Sequence, residues 1–322
     1  MAIMGTKKGK ALTPELANFI NEFQEKIETS LRFHLPASSM PGTERFNDAL
    51  DYAVFPGGKR LRPIITLLAG RLVSANDERA TIVACAIEFL HTSSLILDDL
   101  PGMDDADLRR NKQALHLVFG EGLAVLAAVA LLNQAYALLA VAASGAPDER
   151  RSFELLKEAT RCIGPEGMIG GQVVDLESHA TQMDESIRLH RDAKTIALMR
   201  LMMTANAMAT GATKEDCAAL AGFGERIGEA YQICDDLIDE WAERSMTGKT
   251  PGQDARHWRP TAVAELGKAR AFERASAQLE MGNSLLRSRF GARVEVELLL
   301  EISNFVTRVA LDAACPSGLM AG

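Results

Sequence analysis

The spacing of the apolar residues is the feature of this sequence that most restricts its fold. These residues recur at the three- and four-residue intervals of a helix along the chain, and the alternation typical of strands is almost absent. Breaks rich in Gly, Pro and Asn occur about every 20–30 residues, as expected for long helices joined by short loops. The predicted loops are 36–42, 74–77, 102–107, 144–148, 164–166 and 246–260.

This pattern predicts a single all-α domain over residues 1–322, with frayed tails at 1–12 and 316–322. No internal repeat and no change of composition marks a linker between two domains. Hydrophobic residues make up 47% of the chain and the mean hydropathy is −0.01, so the composition is that of a globular protein.

Charge and cysteine content argue against several classes of protein. The net charge of −8 and the lack of a basic block argue against a nucleic-acid partner. The longest uninterrupted apolar run, 123–132, is shorter than the ~20 residues of a membrane span, and the first residues do not resemble a signal peptide. The five cysteines are scattered without a C-x-x-C pair, which predicts reduced thiols and a cytoplasmic location.

Two clusters of aspartates follow apolar helical stretches. They are Asp98, Asp99 and Asp104 in the first cluster, and Asp235, Asp236 and Asp239 in the second. In the second cluster, carboxylates four residues apart share one helical face, and in the first a Pro-Gly break lets the chain fold back. Carboxylates this close repel one another unless a cation neutralises them. One such pair alone would more often be a solvated surface or a helix cap, but two matching clusters favour a Mg²⁺ site.

Basic residues suited to a diphosphate accompany the aspartates. Lys59 and Arg62 lie three residues apart at a predicted helix start, directly after two glycines. Arg109 and Arg110 follow the first acidic cluster without a gap. Taken singly, each of these residues would more often be a surface charge, but beside the aspartates they indicate binding of a phosphorylated substrate. Further candidates are Lys194 and Lys249.

In these residues the sequence resembles the trans-type polyprenyl diphosphate synthases. The shared motifs follow in order along nearly the whole chain, at 57–63, 88–91, 98–110, 170–176, 194–195, 231–239 and 248–254. The doubled aspartate motif is highly specific, and the segment 126–132 looks most similar to bacterial geranylgeranyl diphosphate synthases. The resemblance implies the isoprenoid synthase fold, a helical barrel around a central active-site cavity, in a homodimer. It also implies head-to-tail condensation of isopentenyl diphosphate with an allylic diphosphate.

The resemblance assigns a role to each matching residue. Three Mg²⁺ ions would be held by Asp98, Asp99, Asp104, Asp235, Asp236 and Asp239. The allylic diphosphate (dimethylallyl, geranyl or farnesyl) would be bound by Arg109, Lys194, Lys249 and Arg259. Isopentenyl diphosphate would be bound by Lys59, Arg62, His91 and Arg110. Thr195 and Gln232 would line the path of the carbocation.

The sequence departs from the family pattern at three places. Asn111-Lys112-Gln113-Ala114 stands where relatives have Gly-x-Pro-Thr, which leaves the conformation of this loop open. Arg259 replaces a usual lysine, which keeps the charge but changes its geometry. Leu97 replaces a frequent histidine. None of these departures removes an aspartate of the two clusters.

The length of the product depends on residues before Asp98. In this family the prenyl tail grows along the helix that carries the first aspartates, and Ser93 and Ser94 are small residues one turn before Asp98. An aromatic residue at 93 would end the tunnel near C15, so serine predicts a C20 product, with C15 as the alternative. In another interpretation Ser93 faces a neighbouring helix, and Met168 or Leu132 forms the floor.

Two other functions are compatible with parts of the pattern. A class I terpene cyclase shares helices and Mg²⁺ but usually lacks the Lys59/Arg62 pair, and its second metal motif carries Asn and Ser. A non-catalytic partner subunit of a prenyl synthase would typically have damaged aspartate motifs. Both motifs are intact here, which favours a catalytic synthase.

Overall fold

A computed structural model of the chain describes residues 12–58, 60–144, 149–177, 185–241 and 261–314. These residues form thirteen helices and one short hairpin. The helices are α1 (Pro14–His34), α2 (Glu44–Val54), α3 (Leu61–Leu72), α4 (Asp77–Asp98), α5 (Leu115–Phe119), α6 (Glu121–Ala143), α7 (Glu149–Ile163), α8 (Met168–Glu177), α9 (Glu185–Thr210), α10 (Lys214–Trp241), α11 (Ala262–Leu266), α12 (Lys268–Phe290) and α13 (Val294–Ala314). The hairpin strands are β1 (Leu108–Arg109) and β2 (Lys112–Gln113).

The helical prediction is confirmed, and so are most of the predicted loops. The breaks at 36–42 and 164–166 fall between helices, 74–76 separates α3 from α4, whose first residue is Asp77, and 102–107 follows the end of α4. Of the predicted loop 144–148, residues 145–148 lie outside the described residues. The predicted loop 246–260 lies outside the described residues. The sequence analysis missed the hairpin, because a two-residue strand is too short to show alternation.

Helices α4 and α6 pack against each other and form the middle of the main core. Both are apolar on all sides, a pattern that normally marks a helix buried in a core. By length and composition both could cross a membrane, which the search for uninterrupted apolar runs did not predict. In α4, 67% of the most apolar segment is buried in the protein, but in α6 the figure is only 39%. One side of α6 therefore presents apolar residues to the surface.

The second half of the chain is arranged around α10, which packs against α9, α12 and α13. A separate small apolar cluster lies beside the C-terminal part of α10. It consists of Ile233, Cys234, Leu237, Ala262, Val263, Ala271 and Ala275. This cluster fixes α11 and α12 against the end of α10 that carries the second group of aspartates.

The hairpin resolves the conformation of the loop that departs from the family pattern. Its two central residues, Arg110 and Asn111, have φ angles of 55° and 63°, as in the type I′ turns preferred by tight hairpins. Asparagine tolerates this left-handed region better than most side chains. Asn111 therefore takes a conformation that glycine adopts most readily, and the turn forms without Gly-x-Pro-Thr.

We predict that Asn111→Gly leaves the hairpin intact, whereas Asn111→Val destabilises it by about 1–2 kcal/mol because a branched Cβ is strained at positive φ. The free energy of unfolding in urea and the catalytic efficiency should fall together for the valine variant, since Arg109 and Arg110 belong to the same hairpin. A valine variant as stable and active as the glycine variant would contradict this account.

Candidate active site

The chain folds back directly after α4, as the Pro-Gly break predicts. The amide of Asp104 donates to the carbonyl oxygen of Asp98 at 2.9 Å, and the amide of Ala106 donates to that of Asp99 at 3.2 Å. These bonds satisfy carbonyl groups that the end of a helix leaves open. They also bring the carboxylate of Asp104 close enough for its charge to act on that of Asp98.

The ionisation of Asp98 is strongly disturbed. Burial raises its pKa to about 6, and the charges of Asp104 and Asp175 add to this effect, while those of Lys194 and Arg109 oppose it. A carboxylate in this position gains strongly from any cation that binds beside it.

Asp99 differs from Asp98 because it is paired with a residue of the protein. Its side chain is buried, and the guanidinium of Arg109 donates to both of its carboxylate oxygens, with Nε at 3.0 and 3.1 Å. Burial raises the pKa of Asp99 and the charge of Arg109 lowers it, with a net upward shift. The fork-shaped contact fixes the orientation of Arg109.

The second group of aspartates lies on α10, and the second residue of its Asp-Asp pair is buried and hydrogen-bonded, as Asp99 is. Asp236 is 2% exposed; its Oδ2 accepts from the amide of Ala262 at 2.7 Å and its Oδ1 from Nε2 of Gln232 at 3.3 Å. Asp235, the first residue of the pair, is only partly buried. In each Asp-Asp pair the second residue therefore contacts the protein through hydrogen bonds of its carboxylate, and the first is the more exposed.

Helices α9 and α10 approach closely because two glycines on α10 face α9. A Cβ on Gly228 would lie 3.0 Å from Cα of Ile196, and one on Gly224 would lie 2.7 Å from the carbonyl oxygen of Met199. One turn further along α10, the hydroxyl of Thr195 donates to Oε1 of Gln232 at 3.0 Å. The two residues predicted to line the carbocation path are thus in direct contact.

Lys194 has partners that the sequence analysis did not identify as site residues. Its Nζ lies 2.6 Å from Oδ2 of the buried Asp175 and 3.4 Å from Oε1 of Gln172, both on α8. The motif 170–176 was part of the family resemblance, but a contact across 19 residues of sequence leaves no periodic signal. Asp175 and Gln172 fix the ammonium group near Asp98.

Two of the basic residues proposed for isopentenyl diphosphate, Arg62 and Arg110, lie close enough for their charges to interact. The charge of Arg62 acts on Arg110, together with that of Arg60, which lies between the two basic residues predicted from sequence. Arg62 is the second residue of α3, and His91 lies on α4 and is partly buried. Four predicted groups lie outside the described residues: Lys59, Lys249, Arg259 and the side chain of Asp239.

Both serines near the predicted tunnel floor make hydrogen bonds to backbone carbonyls. The hydroxyl of Ser93, which is 3% exposed, donates to Ala128 on α6 at 2.9 Å. The hydroxyl of Ser94 donates to His91 on its own helix at 2.9 Å. Ser93 therefore contacts a neighbouring helix, as the alternative interpretation of this residue anticipated.

Comparison with known proteins shows which family the chain belongs to. The polyprenyl synthetase family model matches residues 43–301. Farnesyl diphosphate synthase of Bacillus subtilis is 32% identical over 92% of this chain and 98% of its own length. Chloroplastic geranylgeranyl pyrophosphate synthase 12 of Arabidopsis thaliana is 40% identical over 83% of this chain and 75% of its own. The crystal structure of an FPP/GFPP synthase from Zymomonas mobilis, 30% identical, superposes with a TM-score of 0.76, covering 91% of this chain and 98% of that one.

Proposed function

Since this chain belongs to the polyprenyl synthetase family and is a prenyltransferase that elongates prenyl chains head to tail, we propose that it makes geranylgeranyl diphosphate (C20). The proposed substrates are isopentenyl diphosphate and dimethylallyl, geranyl or farnesyl diphosphate. The observation that carries the proposal is the small size of Ser93, which is buried on α4 five residues before Asp98 and, although its hydroxyl contacts α6, adds less bulk there than an aromatic residue would. The two relatives above are named for different product lengths, so this residue, and not their names, supports C20.

The donor set fits Mg²⁺ as the proposed cofactor. Within the described part of the chain, no three His, Cys, Asp or Glu side chains could hold an ion by themselves. Mg²⁺ suits such a site because it commonly binds one or two carboxylates and takes its other ligands from water and phosphate oxygens. We propose Asp98, Asp104 and Asp235 as direct ligands, around three ions in total. When bound, Mg²⁺ neutralises the charge that develops on the leaving diphosphate.

The contacts of Asp99 and Asp236 support a different role for these two residues. Asp99 orients Arg109, and Asp236 holds both Gln232 and the start of α11. We therefore propose that they position neighbouring groups, with the side chain of Asp239 completing the second metal shell.

Two separate basic groups would hold the two substrates. Arg109 and Lys194, each fixed by its own aspartate, would bind the allylic diphosphate together with Lys249 and Arg259. Lys59, Arg62, His91 and Arg110 would bind isopentenyl diphosphate. Holding both substrates in reacting geometry removes much of the entropic barrier to their meeting.

The reaction begins when the C–O bond to the allylic carbon breaks and the bonding electrons leave with the diphosphate. The hydroxyl of Thr195 donates a hydrogen bond to Gln232, so the lone pairs of the Thr195 oxygen can face the allylic cation. The double bond of isopentenyl diphosphate then attacks this cation, and the released diphosphate takes the proton lost from the product. Apolar helix walls exclude water, which would otherwise convert the cation to an alcohol.

One assay distinguishes the proposed C20 synthase from the C15 alternative and from a non-catalytic subunit. Purified protein incubated with isopentenyl diphosphate and each allylic starter should give a C20 diphosphate with Mg²⁺ and no product with EDTA, as sized by mass spectrometry. A C15 end product would keep the reaction and contradict the chain-length argument. No product from any starter would favour the partner-subunit interpretation, and a cyclic hydrocarbon would indicate a terpene cyclase.

Ser93 offers a direct test of product length. A phenylalanine at 93 has no space beside Ala128, which is fully buried on α6, so its ring must turn along α4 into the path of the prenyl tail. We predict that Ser93→Phe shifts the product from C20 to C15, whereas Ser93→Ala, which loses the hydrogen bond but adds no volume, still gives C20. Equal product lengths from both variants would remove Ser93 from the tunnel.

We also propose that the chain is a homodimer, with the exposed side of α6 as its interface. Val125, Leu126, Val129 and Val141 are 39–57% exposed on this helix, and small residues such as Ala137 lie between them. An apolar helix face of this length normally meets a partner. A second copy fits best, because the face carries almost no charge and can pack on itself around a twofold axis without repulsion.

We predict that Leu126→Glu converts the protein from twice the 34.8 kDa chain mass to a single chain mass in light scattering. The matched control is Val294→Glu, which places the same charge on another exposed apolar residue, at the start of α13. Dimeric Leu126→Glu protein would contradict the assignment.

The proposal also includes a cytoplasmic location, supported by four free cysteines among the described residues.

A further inference from the structure

Glu88 is a buried carboxylate to which the proposed mechanism gives no role. It lies on α4, is 2% exposed, and its Oε1 accepts a hydrogen bond from Nη1 of Arg60 at 2.6 Å. Nη2 of Arg110 lies 3.6 Å from the same oxygen. Glu88 therefore joins the residue that precedes α3 to the turn of the hairpin.

Arg60 is held from every side. Its side chain is fully buried; Nε lies 2.7 Å from Oε1 of Glu28 on α1, and Nη2 donates to the carbonyl oxygen of Val54 at 2.8 Å. Its guanidinium also lies against Gly57, where a Cβ would come within 1.9 Å of Cζ. These contacts tie the loop before α3 to α1, α2 and α4.

The backbone at Arg60 determines where the neighbouring basic residues lie. Arg60 has a φ of 54° and directly precedes the first residue of α3, so its position sets the start of the helix that carries Arg62. Nε of Arg62 is buried and has no hydrogen-bond partner in the described structure. If Arg60 moved, Arg62 would move with it, because no hydrogen bond at Nε holds the side chain of Arg62 in place.

The charges around Glu88 explain how Arg110 is kept close. Burial lowers the pKa of Arg110, the charge of Glu88 raises it, and those of Arg60, Arg62 and Arg109 lower it further. Of the two carboxylates on Arg60, Glu88 is the one whose charge is described as acting on Arg110. Because 3.6 Å is longer than a good hydrogen bond, the attraction holds the guanidinium of Arg110 loosely.

We propose that Glu88 is a positioning residue for the binding of isopentenyl diphosphate. Through Arg60 it fixes the start of α3, which carries Arg62, and through its looser ion pair it holds Arg110 near this helix start. The inference rests on the proposed function, in which Lys59, Arg62 and Arg110 bind this diphosphate.

The test compares five proteins: the wild type, Glu88→Gln, Glu28→Gln, Arg110→Gln and the double variant Glu88→Gln/Arg110→Gln. Glu28→Gln is the matched control because it makes the same chemical change at the other carboxylate on Arg60 and does not contact Arg110 in the ion pairs described. For each protein, KM is measured for isopentenyl diphosphate and for the allylic substrate, together with kcat and the melting temperature. Arg110→Gln tests the proposed function itself.

We expect Arg110→Gln and Glu88→Gln each to raise KM for isopentenyl diphosphate by about tenfold, with the allylic KM within about twofold of the wild type. Glu28→Gln should change both values by less than about twofold. The double variant Glu88→Gln/Arg110→Gln should raise this KM by less than the product of the two single effects, because the two changes share the contact between Glu88 and Arg110. A purely structural role for Glu88 would lower the melting temperature and leave the two KM values in their wild-type ratio.

Two results would overturn the inference in different ways. If Arg110→Gln raises KM for isopentenyl diphosphate but Glu88→Gln does not, Glu88 has no positioning role and the proposed site stands. If Arg110→Gln has no effect, the proposed site itself fails.

Should Glu88→Gln not fold, Glu88→Asp keeps the charge but shortens the reach of the side chain. An unchanged KM for isopentenyl diphosphate in Glu88→Asp would then contradict the inference, and an increase of about threefold or more would support it.

Discussion

Carboxylates crowded at the carboxyl end of a buried helix are the constraint on which the rest of this site depends. Helix α4 ends at Asp98, where the helix dipole is negative and the last turn contains no basic residue. Burial and the nearby Asp104 add to the cost, and the pKa of Asp98 rises to about 6. A fold accepts such a cost mainly where function requires the charge. The charges of Lys194 and Arg109 offset part of this cost, and the proposed Mg²⁺ would offset more of it.

The two members of each Asp-Asp pair differ in burial and in their contacts with the protein. Asp99 and Asp236 are buried and use their carboxylates to hold Arg109 and the start of α11, respectively. Asp98 and Asp235 are the more exposed members. The second residue of each pair thus holds neighbouring groups of the protein, and under the proposed function the first residue is the one that binds a metal ion. The same logic recurs where Asp175 holds Lys194, and in the proposed pairing of Glu88 with Arg60 and Arg110.

Features that depend on neighbours in sequence could be predicted, and features that depend on distant contacts could not. Helical spacing predicted the long helices, and the Pro-Gly break predicted the return of Asp104 toward Asp98. The turn at Arg110 and Asn111 was missed because its strands have two residues each. The sequence also gives no sign that Arg60 is buried beside Glu88 while Arg62 is not, because the difference arises from Glu28, 32 residues away. Identical Asp-Asp pairs likewise conceal different roles for their two members.

The most direct test of this account compares the melting temperatures of the wild type and Asp98→Asn, first in EDTA and then with Mg²⁺ plus inorganic diphosphate. If Asp98 is an uncompensated charge that a cation must neutralise, Asp98→Asn should be at least as stable as the wild type in EDTA. Mg²⁺ and diphosphate together should then raise the melting temperature of the wild type by a few degrees and that of Asp98→Asn much less. A variant that is less stable in EDTA and gains as much as the wild type from the two ligands would contradict the central claim.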